Sequence, residues 1–361
     1  MQKRFILSLL IVALGIVFIF SGYIKLFPIE PFELNFVEQG FLNWTLAPFA
    51  SRLLIALEIF LGVMLLVQLR VKFTLKATMY LLAFFTVYLI YAIVKDGNTG
   101  NCGCFGTYLQ MTPLESIIKN IILFIVSFFL FKINDDKVSL IKGNLLLCLL
   151  LTATLPINLY FAWIPFLAST LNFIVLESLL IYVSVIQIVA IKYNSKPLYK
   201  LLTIFVGISA VAIPFAVNPP DLFVIETYDF GKLNYSLKGE KLNEFTTKKI
   251  DKNWQEGKKI IAFLSLTCPH CRDMAFKLHI IKKQHPQLNI LFVYGGNVAD
   301  KNIFLAKAKC ADMPAIDMTI EEIVKISGPF FPTVVGINNG TVIKKWTVAT
   351  LTENEALEFF D

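Results

Sequence analysis

The chain has 361 residues, of which 56% are hydrophobic and only 16% are charged. Soluble domains carry about 25% charged residues, so this composition excludes an ordinary water-soluble protein and predicts a membrane protein. The formal net charge of +7 does not indicate nucleic acid binding, because such a basic excess is expected in loops at the cytoplasmic face of a membrane.

Seven apolar runs are long enough to cross a bilayer, which takes roughly 17 to 25 residues. They lie near 5–24, 51–69, 77–94, 114–133, 143–163, 169–191 and 201–218. The first run resembles a signal peptide, but no cleavage site of small residues follows it, and we expect an uncleaved anchor. The aromatic-rich segment after it is expected to lie along the membrane surface.

Basic residues distribute unevenly between the two ends of these runs. About eleven Lys and Arg residues share a side with the N-terminus. The opposite ends hold Lys25, Arg52, Lys95 and Lys119. This asymmetry predicts a multi-pass protein of the cell (inner) membrane with a cytoplasmic N-terminus, and an odd number of crossings places everything after Pro219 outside.

Two cysteines, Cys102 and Cys104, lie one residue apart in NCGCFG, after the third run. A disulfide across this spacing closes a very small ring, and strained or exposed disulfides are more oxidising. We therefore predict an exchange partner rather than a structural link. The alternatives are two reduced thiols at the membrane edge or half of a metal site, although isolated thiols rarely stay reduced in an oxidising compartment.

A soluble domain is predicted from about residue 220, where charged residues become frequent. Its expected elements are a strand KKIIAFLSL, a helix TCPHCRDMAFKLHIIKKQ, a strand LNILFVYGG, helices over 300–309 and 319–327, a hairpin of TVVGI and TVIKKWTV, and a helix over 353–360. This order is typical of a compact α/β fold.

The motif Cys268-Pro269-His270-Cys271 falls where a strand is followed by a helix. A thiolate at a helix N-terminus is stabilised by free N–H groups, which lowers the pKa of Cys268 and predicts it as the nucleophile. Cys271 is then the resolving thiol, and His270 adds a donor or a positive charge beside the thiolate.

Residues 240 to 361 resemble the thioredoxin superfamily, with the CPHC motif familiar from periplasmic thiol oxidants. The resemblance implies that Pro332, in PFFPTVV, is the cis-proline that faces the active-site cysteines. Phe331 replaces the smaller or β-branched residue that usually precedes this proline. A metal site is not expected, because Cys310, His279 and His285 stand at unsuitable spacings for a second pair of ligands.

Residues 1 to 135 resemble the methylamine-utilisation E (MauE) family within the DoxX-like group, through FSGYIK, ALEIFLG and NCGCFG. The resemblance implies a small helical bundle tied to disulfide formation in exported proteins, and nothing indicates that methylamine itself is involved. The expected organisation is a MauE/DoxX-like four-helix membrane domain over 1–135, three additional helices over 136–219, and an extracytoplasmic thioredoxin-like domain over 220–361.

Three further residues have functional and structural interpretations. Glu58 lies inside the second crossing, where a carboxylate is costly, so it is either a functional or cofactor-binding residue or a structural one that is protonated or paired with Arg52. Cys148 and Cys310 are interpreted as packing residues, because free cysteine buries well.

These observations predict a membrane-bound thiol:disulfide oxidoreductase that supports disulfide formation in exported proteins. Electrons would pass from Cys268/Cys271 to Cys102/Cys104 and on to a membrane acceptor, for which a quinone is the candidate. One alternative is an outward-directed disulfide reductase, which needs an inner thiol relay. Another is a non-redox scaffold that presents a thioredoxin-like module to clients.

Overall fold

The computed structural model describes residues 2–98, 111–133, 196–220, 256–348 and 350–361, with the short pieces 181–182, 185–186 and 188–189. The chain divides into two compact units. The membrane unit comprises residues 1–29 and 50–218, and the soluble unit comprises 30–49 and 219–361. The predicted run near 143–163 and most of the run near 169–191 lie outside the described residues.

Before residue 256, six helices have both ends within the described residues: α1 (Gln2–Leu26), α2 (Glu30–Glu38), α3 (Ala47–Val67), α4 (Val71–Asp96), α5 (Pro113–Ile133) and α6 (Lys196–Val217). All of these except the short α2 are long and apolar enough to cross a membrane. They correspond to five of the seven predicted runs, and they make this a multi-pass membrane protein.

Glycines allow α1 and α3 to approach closely within the membrane unit. A Cβ atom added to Gly62 would lie 2.6 Å from Ile19 Cγ1 and 2.9 Å from the carbonyl oxygen of Gly15. Larger side chains at these positions would therefore separate the two backbones. Lipid gives no hydrophobic drive to helix association, so close packing through small residues is what holds such helices together.

The soluble unit contains one mixed sheet with the strand order β3-β2-β1-β4-β5. Its strands are β1 (Lys258–Ser265), β2 (Ile290–Gly295), β3 (Ala315–Met318), β4 (Thr333–Asn338) and β5 (Thr341–Trp346). The first three strands pair in parallel, whereas β4 is antiparallel to β1 and to β5. The helices of this fold are α7 (Pro269–Gln284), α8 (Val298–Ala308), α9 (Ile320–Ser327) and α10 (Glu353–Phe360).

Local sequence explains most of these elements. The last six residues of β1 and all of β2 are buried, which is why both read as continuous apolar runs. The β4–β5 turn places Asn339 and Gly340 at positive φ, 49° and 77°, the combination that a two-residue hairpin turn requires. Helix α9 begins at a capping box between Thr319 and Glu322.

The strand β3 was not among the predicted elements. It has only four residues, mostly exposed or half-buried, and it pairs with β2 alone at the edge of the sheet. A short edge strand of this kind lacks an alternating apolar pattern. Its existence depends on the β2 ladder beside it, which no local sequence signal reveals.

The segment 30–49 belongs to the soluble unit, although the sequence predicts it along the membrane surface. Its helix α2 packs against α7 and buries Phe32 and Phe36. Glu38 forms an ion pair with Lys309, and Trp44 Nε1 donates to Gln284 Oε1 at 2.8 Å. Two of the aromatic side chains that indicated an interfacial segment, Phe32 and Phe36, are thus buried in protein, whereas Phe41 is 48% exposed.

Candidate functional site

Cys268 lies at the junction of β1 and α7. It is the N-cap of α7, with extended backbone angles, and Pro269 occupies the first helical turn. Proline fits this position because the first N–H groups of a helix have no intrahelical partner. The strand and the proline together place the Cys268 side chain at the positive end of the helix, half-buried.

Cys271 lies within the first turn of α7 and is fully buried. The backbone N–H of Ser265, at the end of β1, donates to its sulfur at 3.2 Å. Cys268 is accessible while Cys271 is not, so only one of the two thiols can meet a partner protein.

The peptide bond between Phe331 and Pro332 is cis, as the thioredoxin resemblance implies. It immediately precedes β4, whose first residue, Thr333, pairs with Phe263 on β1. This pairing brings the loop to the end of β1 where α7 begins. Cys268 Sγ lies 4.0 Å from the carbonyl oxygen of Phe331, so the backbone before Pro332 contacts the half-buried Cys268 sulfur.

The electrostatics of the site favour the thiolate of Cys268. A hydrogen bond from the Cys271 thiol is the largest cause that lowers the pKa of Cys268, to about 5, against the opposing effect of burial. The backbone N–H groups of Cys271 and His270 add to this stabilisation. The charge of His270, whose side chain is exposed, makes the smallest of these contributions.

The two buried acidic groups beside the thiolate have raised pKa values. The pKa of Cys271 lies far above the ordinary thiol value, chiefly because Cys271 hydrogen-bonds to Cys268 and secondly because it is buried. Burial also raises the pKa of Asp273 to about 6, and the charges of Glu30 and Cys268 add to the increase. Asp273 was not predicted as a site residue, because a carboxylate in the first turns of a helix normally indicates only a favourable interaction with the helix dipole.

The remaining ligand-type residues of the soluble unit lie elsewhere. Cys310 is buried against the hydroxyl of Tyr294, with an oxygen–sulfur distance of 3.5 Å, and burial raises its pKa to about 11. His279 faces Asp312 at 3.1 Å, and His285 faces Glu353 at 2.7 Å. Across the residues that the structure describes, no three His, Cys, Asp or Glu side chains gather as a metal site.

The predicted membrane pair, Cys102 and Cys104, lies outside the described residues, as does Cys148. Glu58 is described, and its carboxylate pairs with Lys25 at 2.5 Å rather than with Arg52. The Arg52 guanidinium instead donates from Nε to the carbonyl oxygen of Asn218. The pairing of Lys25 with Glu58 was not predicted, because a contact between separate helices leaves no local signal in the sequence.

Fold and dithiol together define the class of this protein. A bundle of membrane-spanning helices is followed by a thioredoxin-like sheet. This sheet carries a Cys-X-X-Cys pair at the start of the helix after β1, with a cis-proline beside it. This combination is that of a membrane-bound thiol–disulfide oxidoreductase, whose substrates are thiols or disulfides of other proteins.

Comparison with known proteins narrows this class to a family. Residues 3–133 match the model of the methylamine utilisation protein MauE family. Protein TlpB of Flavobacterium psychrophilum is 30% identical over 301 residues, which cover 78% of this chain and 75% of that protein. A secreted Mycobacterium tuberculosis disulfide oxidoreductase, homologous to E. coli DsbE, matches 30% of this chain and 85% of its own, at 16% identity and a TM-score of 0.27. The chain belongs to the TlpB family, with a MauE domain in its N-terminal part.

Proposed function

We propose that the protein oxidises thiols of exported proteins through Cys268/Cys271 and passes the electrons to Cys102/Cys104. The observation that carries this proposal is the position of Cys268, half-buried at the N-terminus of α7 and beside the Phe331 carbonyl, where its pKa is lowered to about 5. A stabilised thiolate favours the reduced form of the dithiol, so the corresponding disulfide is a stronger oxidant. A reductase operates better with a dithiol whose reduced form is less stable.

In the proposed reaction, the thiolate of a client attacks the accessible Cys268 sulfur of the disulfide and releases Cys271. A second client thiolate then attacks the mixed disulfide, which leaves the client oxidised and the domain reduced. The domain gains two electrons and two protons. The cis-proline loop supports this role, because the Phe331 carbonyl borders Cys268 where the backbone of a client would lie.

The order of the helices supports a shared compartment for the two thiol pairs. Segment 30–49 connects the end of α1 to the start of α3, and residues 97–112 connect the end of α4 to the start of α5. Successive membrane crossings put both connections on one side. Because 30–49 is part of the soluble unit, this order of helices supports a common side for Cys268 and for Cys102 and Cys104. The positive-inside rule supports the extracytoplasmic side for these connections and a cytoplasmic N-terminus.

The redox state of the soluble pair in cells tests the electron route. With Cys102→Ser or Cys104→Ser, Cys268/Cys271 should accumulate in the reduced form, measured by acid trapping and alkylation that adds mass to free thiols. A single remaining thiol forms only a dead-end mixed disulfide. Cys148→Ser is the matched control and should leave the soluble pair oxidised. An oxidised soluble pair in both CGC variants would refute the route.

Trapping experiments separate the oxidase from the other two functions. Cys271→Ala removes the resolving thiol, so a client mixed disulfide at Cys268 should accumulate, whereas a non-redox scaffold gives none. Adding Cys104→Ser should trap a Cys102–Cys268 cross-link, or Cys102→Ser a Cys104–Cys268 cross-link. A soluble pair that is reduced in wild-type cells and stays reduced in all variants would indicate the reductase.

A further inference from the structure

A small cavity lies inside the membrane unit, where side chains of α1, α3, α4 and α5 meet. Half of its lining is apolar, and the other half consists of Ser21, Lys25, Glu58, Lys119 and Asn120. Polar and charged groups are costly in the membrane-spanning part of a protein. Their convergence on one cavity therefore needs a physical reason.

An ion pair between α1 and α3 accounts for part of this polar lining. Lys25 Nζ donates to Glu58 Oε1 at 2.5 Å and to Ser21 Oγ at 3.0 Å. Both charged side chains are almost completely buried, at 3% and 5% exposed. Each charge compensates the other, as a buried charge requires. These contacts satisfy only one of the two oxygens of the Glu58 carboxylate.

Two buried atoms of the lining residues are not explained by the ion pair. Glu58 Oε2 and Asn120 Nδ2 have no hydrogen-bond partner among the described residues, although the two residues are only 4% and 2% exposed. Such atoms are rare, because a buried donor or acceptor without a partner loses its hydration and gains nothing in return. The carboxylate oxygen accepts and the amide nitrogen donates. A group between them that does both would satisfy the two atoms together.

The size and the chemistry of the cavity select the group. The cavity offers the centre of a water molecule about 20 Å³, and roughly 10–15 Å³ is enough to hold one water. A ring or a lipid head group does not fit this space. A cation would be repelled by the Lys25 ammonium and by the N–H bonds of Asn120, and an anion by the Glu58 carboxylate. A single neutral water remains, and it both donates and accepts.

We propose that this cavity binds one water molecule, which connects α5 to the ion pair between α1 and α3. The water accepts a hydrogen bond from Asn120 Nδ2 and donates one to Glu58 Oε2. A bridging water of this kind is nearly as favourable as a direct hydrogen bond. Each oxygen of Glu58 then has a partner, and one carboxylate joins three helices of the membrane unit. Glu58 thereby serves the assembly of the helices rather than the binding of a cofactor.

X-ray footprinting detects such a water, because hydroxyl radicals formed from bound water modify the side chains that it touches. The full-length protein in phosphatidylcholine nanodiscs is irradiated, and hydroxylated residues are quantified by mass spectrometry. Phe85 lines the cavity and is 8% exposed, whereas Phe84, its neighbour on α4, is 53% exposed on the outside of the bundle. Phe85 should be hydroxylated more than Phe84, the reverse of the order that exposure alone predicts.

Substitution of Asn120 tests where the water is held. Asn120→Leu replaces the amide donor by an apolar group, so it should lower the hydroxylation of Phe85 roughly twofold or more. Ser127→Ala is the matched control, because Ser127 is buried on α5 but does not line the cavity, and it should leave the hydroxylation unchanged. Size-exclusion chromatography checks that both variants fold. If Asn120→Leu does not fold, the order of Phe85 and Phe84 in the parent protein still decides whether the cavity holds water.

A double-mutant cycle tests whether the water links Glu58 to Asn120. Glu58→Gln leaves two donors facing the water, and Asn120→Asp leaves two acceptors, so each substitution should lower the midpoint of thermal unfolding. The combined variant exchanges donor and acceptor, and the water then bridges in the reverse orientation. It should recover part of the loss, whereas the effects of Glu58→Gln and Ser127→Ala should simply add.

Four results would overturn the water site. The first is hydroxylation of Phe84 above that of Phe85, and the second is unchanged hydroxylation of Phe85 in a folded Asn120→Leu variant. The third is a strictly additive loss for Glu58→Gln and Asn120→Asp, which would mean that nothing joins the two residues. The fourth is recovery in the combined variant without hydroxylation of Phe85, which would mean that the two side chains meet directly.

Discussion

The hydrogen bond from Cys271 to the Cys268 thiolate makes a quantitative prediction. With a pKa of about 5, Cys268 is about 99% ionised at pH 7. A hydrogen bond to a charged group contributes roughly 1.5–3 kcal/mol, and one pKa unit corresponds to 1.36 kcal/mol. Cys271→Ala should therefore raise the pKa of Cys268 by about 1 to 2 units.

The assay follows the rate at which iodoacetamide alkylates Cys268 as a function of pH. The reduced full-length protein in detergent is sampled at intervals, and the modified peptide is quantified by mass spectrometry. The full chain is required because segment 30–49 is part of the soluble unit and places Glu30 near Asp273. The midpoint of the rate profile gives the pKa of Cys268 directly, since only the thiolate reacts.

Two variants make this measurement specific. His270→Leu removes a charge that is the smallest of the causes, so the midpoint should rise by less than it does in Cys271→Ala. Cys310→Ala is a matched thiol deletion in the core against Tyr294 and should leave the midpoint unchanged. A larger shift in His270→Leu than in Cys271→Ala, or no shift in Cys271→Ala, would refute the hydrogen-bond explanation.

Three further predictions address the packing and charges of the two units. The pKa of Asp273 is raised from 3.8 to about 6, so the folded state binds its proton more tightly than the unfolded state does. The free energy of unfolding of the wild type should therefore fall, relative to that of Asp273→Asn, as the pH rises from 4 to 6. The fall should be about 3 kcal/mol at most, measured by chemical unfolding at a series of pH values. Lys309→Met should lower the free energy of unfolding of the soluble unit by roughly 1–3 kcal/mol, because it leaves the Glu38 carboxylate, only 4% exposed, without its ion-pair partner. Glu38→Gln in the same chain should restore part of this loss. Gly62→Leu should prevent correct assembly of the membrane unit, whereas Gly207→Ala should be tolerated, since its Cβ would meet Phe60 only at 3.8 Å. Size-exclusion chromatography in detergent distinguishes the two variants by whether the protein elutes in a folded form.

Much of the fold follows from local sequence signals. Apolar runs of bilayer length predict the membrane helices α1, α3, α4, α5 and α6, because the requirement to satisfy backbone hydrogen bonds in lipid leaves few other conformations. In the soluble unit, α10 has the predicted bounds, and β1, β2, β4 and β5 lie within a residue or two of the predicted strands. These elements have strong hydrophobic periodicity, caps or a hairpin turn of their own.

The CPHC site is also largely readable from the chain. A Cys-X-X-Cys pair between a buried strand and an amphipathic helix places one thiol at the helix terminus by chain geometry alone, and the structure shows that arrangement for Cys268. The direction of its pKa shift follows from the same geometry. The largest cause does not, because the hydrogen bond from Cys271 depends on how deeply the second thiol is buried.

Only the tertiary structure decided which distant groups meet. Segment 30–49 reads as an interfacial segment, yet its helix α2 packs against α7 and buries Phe32 and Phe36 in the soluble unit. The pairing of Glu58 on α3 with Lys25 on α1 requires two helices to converge. The sequence by itself determines elements whose stabilising interactions lie within a few residues, whereas contacts between elements far apart in the chain are fixed by packing, which has no local signature.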